Sequence, residues 1–260
     1  MKPMKPMTVR LIRFLQALMV VSSLAGLGWA AYQAVLYLRT SPRFEVQKFS
    51  ISGVRRIEES VVLARAGLEA GTNIFQLDLN EVRRHVEDLD WVRYASVQRV
   101  LPDQIVIKIV EREPIGLTRI RGEIYQFDID GKILDPDSAS GSSFPILDGL
   151  RPRDHEGNLR KVETYRKVVE ELGQTSLSEI HIKESGEVTV VSASDPLLID
   201  LGVAEFRPRW IKYLQLKPQI QQQYPHAVRV DLRFKNQVII KVKDDDAGEK
   251  IVWGAKKDTL

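Results

Sequence analysis

The sequence predicts an α+β protein: a single N-terminal transmembrane helix, a β-α-α-β-β unit, then a β-rich domain with flanking helices. Three observations carry this. From Phe14 to Leu38 there are 25 consecutive residues without a charge. Between residues 44 and 112 the apolar pattern passes from strand to helix and back to strand. Beyond residue 113, β-branched runs alternate with turn dipeptides and are interrupted by two stretches of helical period.

At about 1.5 Å per helical residue, the uncharged run crosses the roughly 30 Å hydrocarbon layer with some tilt. Residues 1–40 hold Lys2, Lys5, Arg10, Arg13 and Arg39 and no acid. The head, residues 1–13, therefore stays in the cytoplasm by the positive-inside rule, residues 14–38 span, and everything after Arg39 lies outside. Tyr37 falls where an interfacial aromatic belt is expected. The competing reading is a cleaved signal peptide, with an A-x-A-like site near Gly28-Trp29-Ala30. An h-region usually runs about 7–15 residues, and this stretch continues past that site.

The chain has 38 Lys+Arg against 35 Asp+Glu. Removing the five basic residues of the first 40 leaves 33 against 35, a net of −2 for the exported part. That balance argues against a nucleic-acid binder relying on bulk charge. Zero cysteines exclude a disulfide framework, thiolate metal sites and a Cys nucleophile.

Ser41-Pro42 breaks the first helix. FEVQKFSISG then reads as a strand closed by Gly53, and Ile57 to Leu68 as a short helix with Val61, Val62, Leu63 and Ala66 inward. Asp78 is placed to cap a helix over Leu79–Leu89, with Leu79, Val82, Val86 and Leu89 at helical spacing. Trp91 joins that core. A strand through Tyr94–Leu101 turns at Leu101-Pro102-Asp103-Gln104 into the β-branched run QIVIKIVER. The opening strand has to pair beside this hairpin, with both helices on one face of the small sheet.

In the remainder, Arg121-Gly122 and Asp130-Gly131 mark hairpin turns, and residues 135–143 a polar loop. A helix over Leu159–Leu172 presents Leu159, Val162, Tyr165, Val169 and Leu172 on one face and stops at Gly173. Strands at 177–183, 187–192 and 197–201 lead to a helix over Phe206–Tyr224 with Phe206, Trp210, Tyr213 and Leu214 buried. The last strand region is 228–243, turning at Lys235-Asn236-Gln237, and 244–260 is expected to be a flexible tail.

Several of these segments resemble a known family. F-E-V-x-x-F-x-I-S-G-V-R-R at 44–56, D-W-V at 90–92, L-P-D-Q-I-V-I-K-I-V-E-R-E-P at 101–114 and V-D-L-R-F at 230–234 follow a basic head and one anchor. In that order and spacing the chain is similar to bacterial cell division proteins of the FtsQ/DivIB family. The family is usually written with Pro before the Trp, where this chain has Asp90. The resemblance implies that residues 44–112 form a POTRA domain and 113–243 the family's β-domain. It implies an inner-membrane protein of the division septum, single-pass, with periplasmic domains. It also implies a non-enzymatic divisome scaffold that binds other membrane-anchored division proteins, including small coiled-coil subunits, and links them to septal peptidoglycan synthesis.

No catalytic constellation is visible. His85, His155, His181 and His226 are scattered, and neither a metal-binding His pair on a helix nor a phosphate loop occurs. Asp128-Ile-Asp130-Gly131 with Asp135 and Asp137 has a superficial likeness to a calcium loop, but lacks its bidentate Glu; a hairpin turn explains it. The sequence therefore points to no enzyme activity, no cofactor, no small-molecule substrate and no metal. A terminal strand paired on one side only can accept a partner strand. The expected contact residues are Arg233, Phe234 and Asn236: a charge, an aromatic anchor and a polar turn residue. The alternative function is a POTRA-type periplasmic chaperone or adaptor in outer-membrane protein assembly or secretion. Such proteins carry several units or a terminal membrane barrel, and neither pattern is seen.

Overall fold

The computed structural model describes residues 6–136, 144–244 and 248–254, and the chain divides into two compact units, Met1–Glu111 and Arg112–Leu260.

The first unit opens with α1, Pro6–Thr40. Its stretch Arg13–Thr40 is the one helix among the described residues long and apolar enough to cross a membrane. Leu18, Met19, Leu24, Leu27 and Trp29 are all more than half exposed, an apolar surface that fits a single-pass membrane anchor. The last carbonyls of a helix have no partner within it. Here the Asn73 amide donates to Leu38 O at 3.0 Å and the Gln76 amide to Arg39 O at 2.8 Å. Tyr37, Phe44 and Phe75 continue this joint as edge-on aromatic pairs.

The rest of the unit is β1 (Lys48–Ser52), α2 (Glu59–Ala66), α3 (Leu79–Glu87), β2 (Val92–Val100) and β3 (Gln104–Glu111). β3 is central, parallel to β1 and antiparallel to β2. It alternates strictly, Ile105, Ile107 and Ile109 inward and Lys108 and Val110 outward, so one face of the sheet meets the helices. Val62, Ala66, Val82 and Val86 are the buried helix positions. Asp78 accepts the backbone N–H of Asn80 and Glu81, the N-cap that its position implied. Two side chains depart from the sequence reading. Val61 is 45% exposed, because the helix is only about two turns long and its first β-branched residue, unlike the buried Val62 beside it, faces away from the sheet. Trp91 is half-buried rather than a core residue, with the Arg56 guanidinium 4.6 Å over its ring.

Glu111 closes this unit. Its carboxylate accepts the backbone N–H groups of Arg55, Arg56 and Ile57 at 2.8–3.1 Å. Partial burial pushes its pKa up, but the three donated bonds outweigh it and hold the group below the ordinary carboxylate range.

The second unit contains β4 (Pro114–Ile120), β5 (Glu123–Asp128), β6 (Ile133–Pro136), β7 (Ile146–Asp148), α4 (His155–Leu172), β8 (Leu177–Ile182), β9 (Val188–Ser192), β10 (Asp195–Gly202), α5 (Phe206–Gln223), β11 (Ala227–Asp231), β12 (Val238–Asp244) and β13 (Gly248–Gly254). All ten strands form one mixed sheet in the order β13-β12-β11-β10-β9-β8-β7-β4-β5-β6. α4 and α5 supply Val162, Tyr165, Val168, Trp210 and Tyr213 to the core over Ile180, Val190, Ile199 and Val230. Leu159 and Leu214, expected inward, are 42% and 48% exposed at the margins of their helices. Pro218 lies inside α5.

Two corrections concern the end of the chain. Residues 248–254, expected in a flexible tail, form β13, antiparallel to β12 from Val238↔Gly254 to Asp244↔Gly248. The polar run before it concealed a short strand, GEKIVWG, that an adjacent ladder can hold. In consequence the 228–243 region does not end on a free edge: β12 pairs with β11 on one side and β13 on the other. Part of the tail (245–247 and 255–260) and most of the polar loop (137–143) lie outside the described residues.

Candidate functional site

The β11–β12 connection, residues 232–237, is built from a buried anchor and an exposed tip. Leu232 is 2% exposed and its backbone N–H donates to Asp200 O at 3.0 Å, so the hairpin is fastened to β10 where the loop begins. Arg233, Phe234, Lys235 and Asn236 then emerge into solvent, and Val238 returns to the core at 4% exposure. Arg233, Phe234 and Asn236 are therefore together on one loop. Phe234 is 42% exposed.

Beside Phe234 lies a cavity of about 290 Å³ on the sheet face away from the helices, lined by β9, β10, β11 and β12. Its walls are charged: Lys183, Arg229, Arg233 and Lys241 against Glu187, Asp200 and Asp231. The network is tightly paired. Arg229 holds both oxygens of Asp200 at 2.8 and 3.0 Å, and Thr189 donates to the same carboxylate at 2.6 Å. Arg233 binds Asp231 through Nε and Nη2 and reaches Glu187 Oε1 with Nη1 at 2.7 Å. Burial pushes Asp231 up, yet the Arg233 guanidinium and backbone N–H hold its pKa below the ordinary value. The same ion pairs push the Arg233 pKa further up.

This geometry revises the role expected of Arg233. Its donors are engaged in two ion pairs that tie the end of β11 to the start of β9, so it is a clamp first. Phe234 and Asn236 stand exposed on the same loop.

A second cluster escaped the sequence reading. Asp148 on β7 and Glu179 and His181 on β8 offer ligand atoms within 4.8 Å of one another. His181 lies 3.1 Å from Asp148 and 3.2 Å from Glu179, and Arg119 of β4 reaches Glu179 at 3.0 Å. The spacing of Glu179 and His181, two apart on one strand, was the readable half of the signal. Asp148 joins only through the parallel β7–β8 register, Asp148↔His181. Arg119 already places a permanent cation against these carboxylates. Elsewhere, Asp128 accepts the backbone N–H groups of Asp130 and Lys132 and pairs with Arg112, which makes the Asp128–Gly131 segment a turn held by its own carboxylate. Asp137 of the same motif lies outside the described residues.

Comparison with known proteins bears on both units. The family model "POTRA domain, FtsQ-type" matches residues 44–112, and "Cell division protein FtsQ/DivIB, C-terminal" matches residues 117–233. The cell division protein FtsQ of Koribacter versatilis is 30% identical over 240 residues, covering 86% of this chain and 69% of its own. That of Syntrophotalea carbinolica is 26% identical over 247 residues, covering 90% and 86%. The major extracytoplasmic domain of the trans isomer of DivIB from Geobacillus stearothermophilus aligns at 18% identity over 44% of this chain and 97% of that one. Its TM-score of 0.28 is too low to bear on the arrangement of the units. With matching models on both units and relatives that follow it along most of its length, this chain belongs to the FtsQ/DivIB family of bacterial cell division proteins.

Proposed function

We propose that this protein is a non-enzymatic scaffold of the divisome, held in the inner membrane by α1 with its head in the cytoplasm and its two folded units in the periplasm. Its partners are other membrane-anchored division proteins, including small coiled-coil subunits, which it gathers at the septum and links to control of peptidoglycan synthesis. The observation that carries the docking surface is the 232–237 loop, which projects Phe234 beside a charged cavity from a rigid hairpin. Such a surface offers an apolar anchor in a polar rim, the usual composition of a binding hot spot.

The partner strand docks along β12 next to this loop, and β13 must leave that ladder for backbone pairing to occur. A photo-crosslinking residue at position 234 or 236, introduced in the full-length chain in dividing cells, tests the reading. A crosslink to a membrane-anchored division protein is expected from the loop, and none from an exposed position on α4 such as Arg166. Equal crosslinking from both positions removes the loop as the docking surface. Depletion should produce filaments without lysis; normal septation would refute the division role itself.

A further inference from the structure

A second cavity, of about 680 Å³, opens elsewhere in the β-rich unit, where the β4–β5 turn, the β5–β6 turn and the loop before α4 converge. Its walls carry Arg121, Lys132, Arg151 and Arg153, with His155 at the rim. Glu123 is the one carboxylate in the lining, and it already accepts the Tyr125 hydroxyl at 2.9 Å. Among the described residues, Arg121, Arg151 and Arg153 make no side-chain ion pair. In this Arg121, Arg151 and Arg153 differ from Arg229 and Arg233 beside Phe234, which carboxylates pair directly. Glu184, itself paired with Lys161, is nonetheless near enough to Arg151 for that charge to lower its pKa.

The floor of this cleft is rigid. Asn158, 4% exposed, accepts the Arg151 N–H at 2.9 Å and donates to Arg151 O and Gly131 O at 2.9 and 3.1 Å. One buried amide thus fixes both the β5–β6 turn and the loop that carries two of the arginines. Gly131 has φ +74, and a Cβ there would lie 2.9 Å from Asn158 Cβ, so the turn and α4 meet as closely as the backbone allows.

The backbone adds an independent sign. Three non-glycine residues in the described chain have left-handed φ, and two of them, Arg121 (φ 52) and Arg153 (φ 71), line this cleft. Arg121 and Gly122 (φ 91) are the two central residues of a tight hairpin turn, where Asn or Gly relieves the strain and arginine does not. Conformation disfavours arginine at both positions, and strain of this kind gathers at functional sites. The guanidinium itself is what these positions supply.

We infer that this cleft is a binding site for a phosphorylated ligand, whose phosphate or pyrophosphate group is gripped by Arg121, Arg151 and Arg153. Planar guanidinium forks match phosphate oxygens in pairs, and three converging on one cavity suit a group with two or more negative charges. The volume is that of a small-molecule site and leaves room beyond the anion, against Ile120, Ile133 and Pro152, for whatever carries it. Two sources share this chemistry, a soluble phosphate ester and a phospholipid headgroup.

The full-length chain in phosphatidylcholine nanodiscs should be titrated with inorganic pyrophosphate by calorimetry at fixed ionic strength. Saturable binding is expected, weakened roughly tenfold by Arg121→Asn or by Arg153→Gly, each removing one charge-assisted contact. Both substitutions suit the left-handed backbone, so the melting temperature without ligand should be unchanged or raised while affinity falls. A defect of folding would move both in the same direction. Arg166→Gln, an equal charge change on the exposed side of α4, should leave affinity unaltered. Phosphatidylglycerol in the nanodisc identifies the source: competition with pyrophosphate marks a headgroup, and unchanged affinity marks a soluble ester. Absence of saturable binding, or equal loss in Arg166→Gln and Arg121→Asn, would overturn the inference.

Discussion

Phe234→Ala is the substitution on which the docking surface stands or falls. An aromatic side chain has roughly 200 Å² to bury. With 42% of the residue exposed, about 85 Å² of it is open to a partner, worth about 2 kcal/mol at 25 cal/mol per Å², or some thirtyfold in affinity. The part already covered is comparable. It lines the same cavity as Ile239 and Lys241, and its loss should cost the fold about 1–2 kcal/mol once the compact denatured state and the retained Cβ are allowed for. Such a loss leaves a domain of ordinary stability folded at 25 °C. The two effects separate in two measurements on the full chain: denaturant unfolding, and binding of the protein that crosslinks to position 234. Thirtyfold weaker binding with a modest shift of the unfolding midpoint is expected. A destabilised fold that still binds with full affinity would show the ring to be interior only and refute the reasoning.

Four further outcomes follow from particular contacts. Truncation after Asp244 should leave the β-rich unit folded and strengthen partner capture: the pairing with β13 and the cost of ordering its seven residues nearly cancel, and the truncation frees the β12 edge. Loss of capture in the truncated chain would place the partner on β13 instead. Gly53→Ala should unfold the first unit's sheet, measured by limited proteolysis, because a Cβ at φ +88 would lie 1.9 Å from Ile109 O. Glu111→Gln should destabilise that sheet at neutral pH. The folded pKa of Glu111 is depressed, so its stabilisation is present above the unfolded value and disappears as pH falls through the folded one; wild type and variant should converge only once the pH is below that depressed folded value. Alkaline phosphatase fused after Leu260 should be active, and a mature N-terminus near Ala31 would show that α1 is removed.

Much of this molecule is legible in the sequence because it rests on local physics. An uncharged run of membrane length has few other uses, and strict alternation in QIVIKIVE specifies a strand with one buried face. Asp78 and Gly173 mark helix ends through their own hydrogen bonding and φ. What the sequence concealed is non-local. β7 is three residues long and exists because β4 and β8 both pair with it in parallel, a relation no window of the chain records. β13 follows an acidic run that reads as a chain end, and becomes a strand only because β12 presents a ladder. Trp91 has the composition of a core residue, but the short α3 places it under Arg56 at the margin. Asp148, Glu179 and His181 come from two strands joined by a helix, so their meeting is a property of strand order.

On the proposed docking reading, the same distinction separates the tasks of Arg233 and Phe234, neighbours in sequence. A loop that carries a binding residue must hold it still, or the entropy lost on docking consumes the contact energy. Lacking disulfides, the β11–β12 loop obtains rigidity from charge pairing on the solvent face of the sheet. Arg233 joins Asp231 at its root to Glu187 just before β9, and Arg229 joins Asp200 beside it. Each pair is partly exposed and worth little alone, but they share strands, and displacing one strains the next. Arg233→Ala should therefore raise the mobility of Phe234 and weaken binding through a slower, rarer docking-competent state, with less dependence on salt than a direct ion pair to the partner shows. A partner contact made by Arg233 itself would give the opposite signature, a binding loss that shrinks steeply as salt is added.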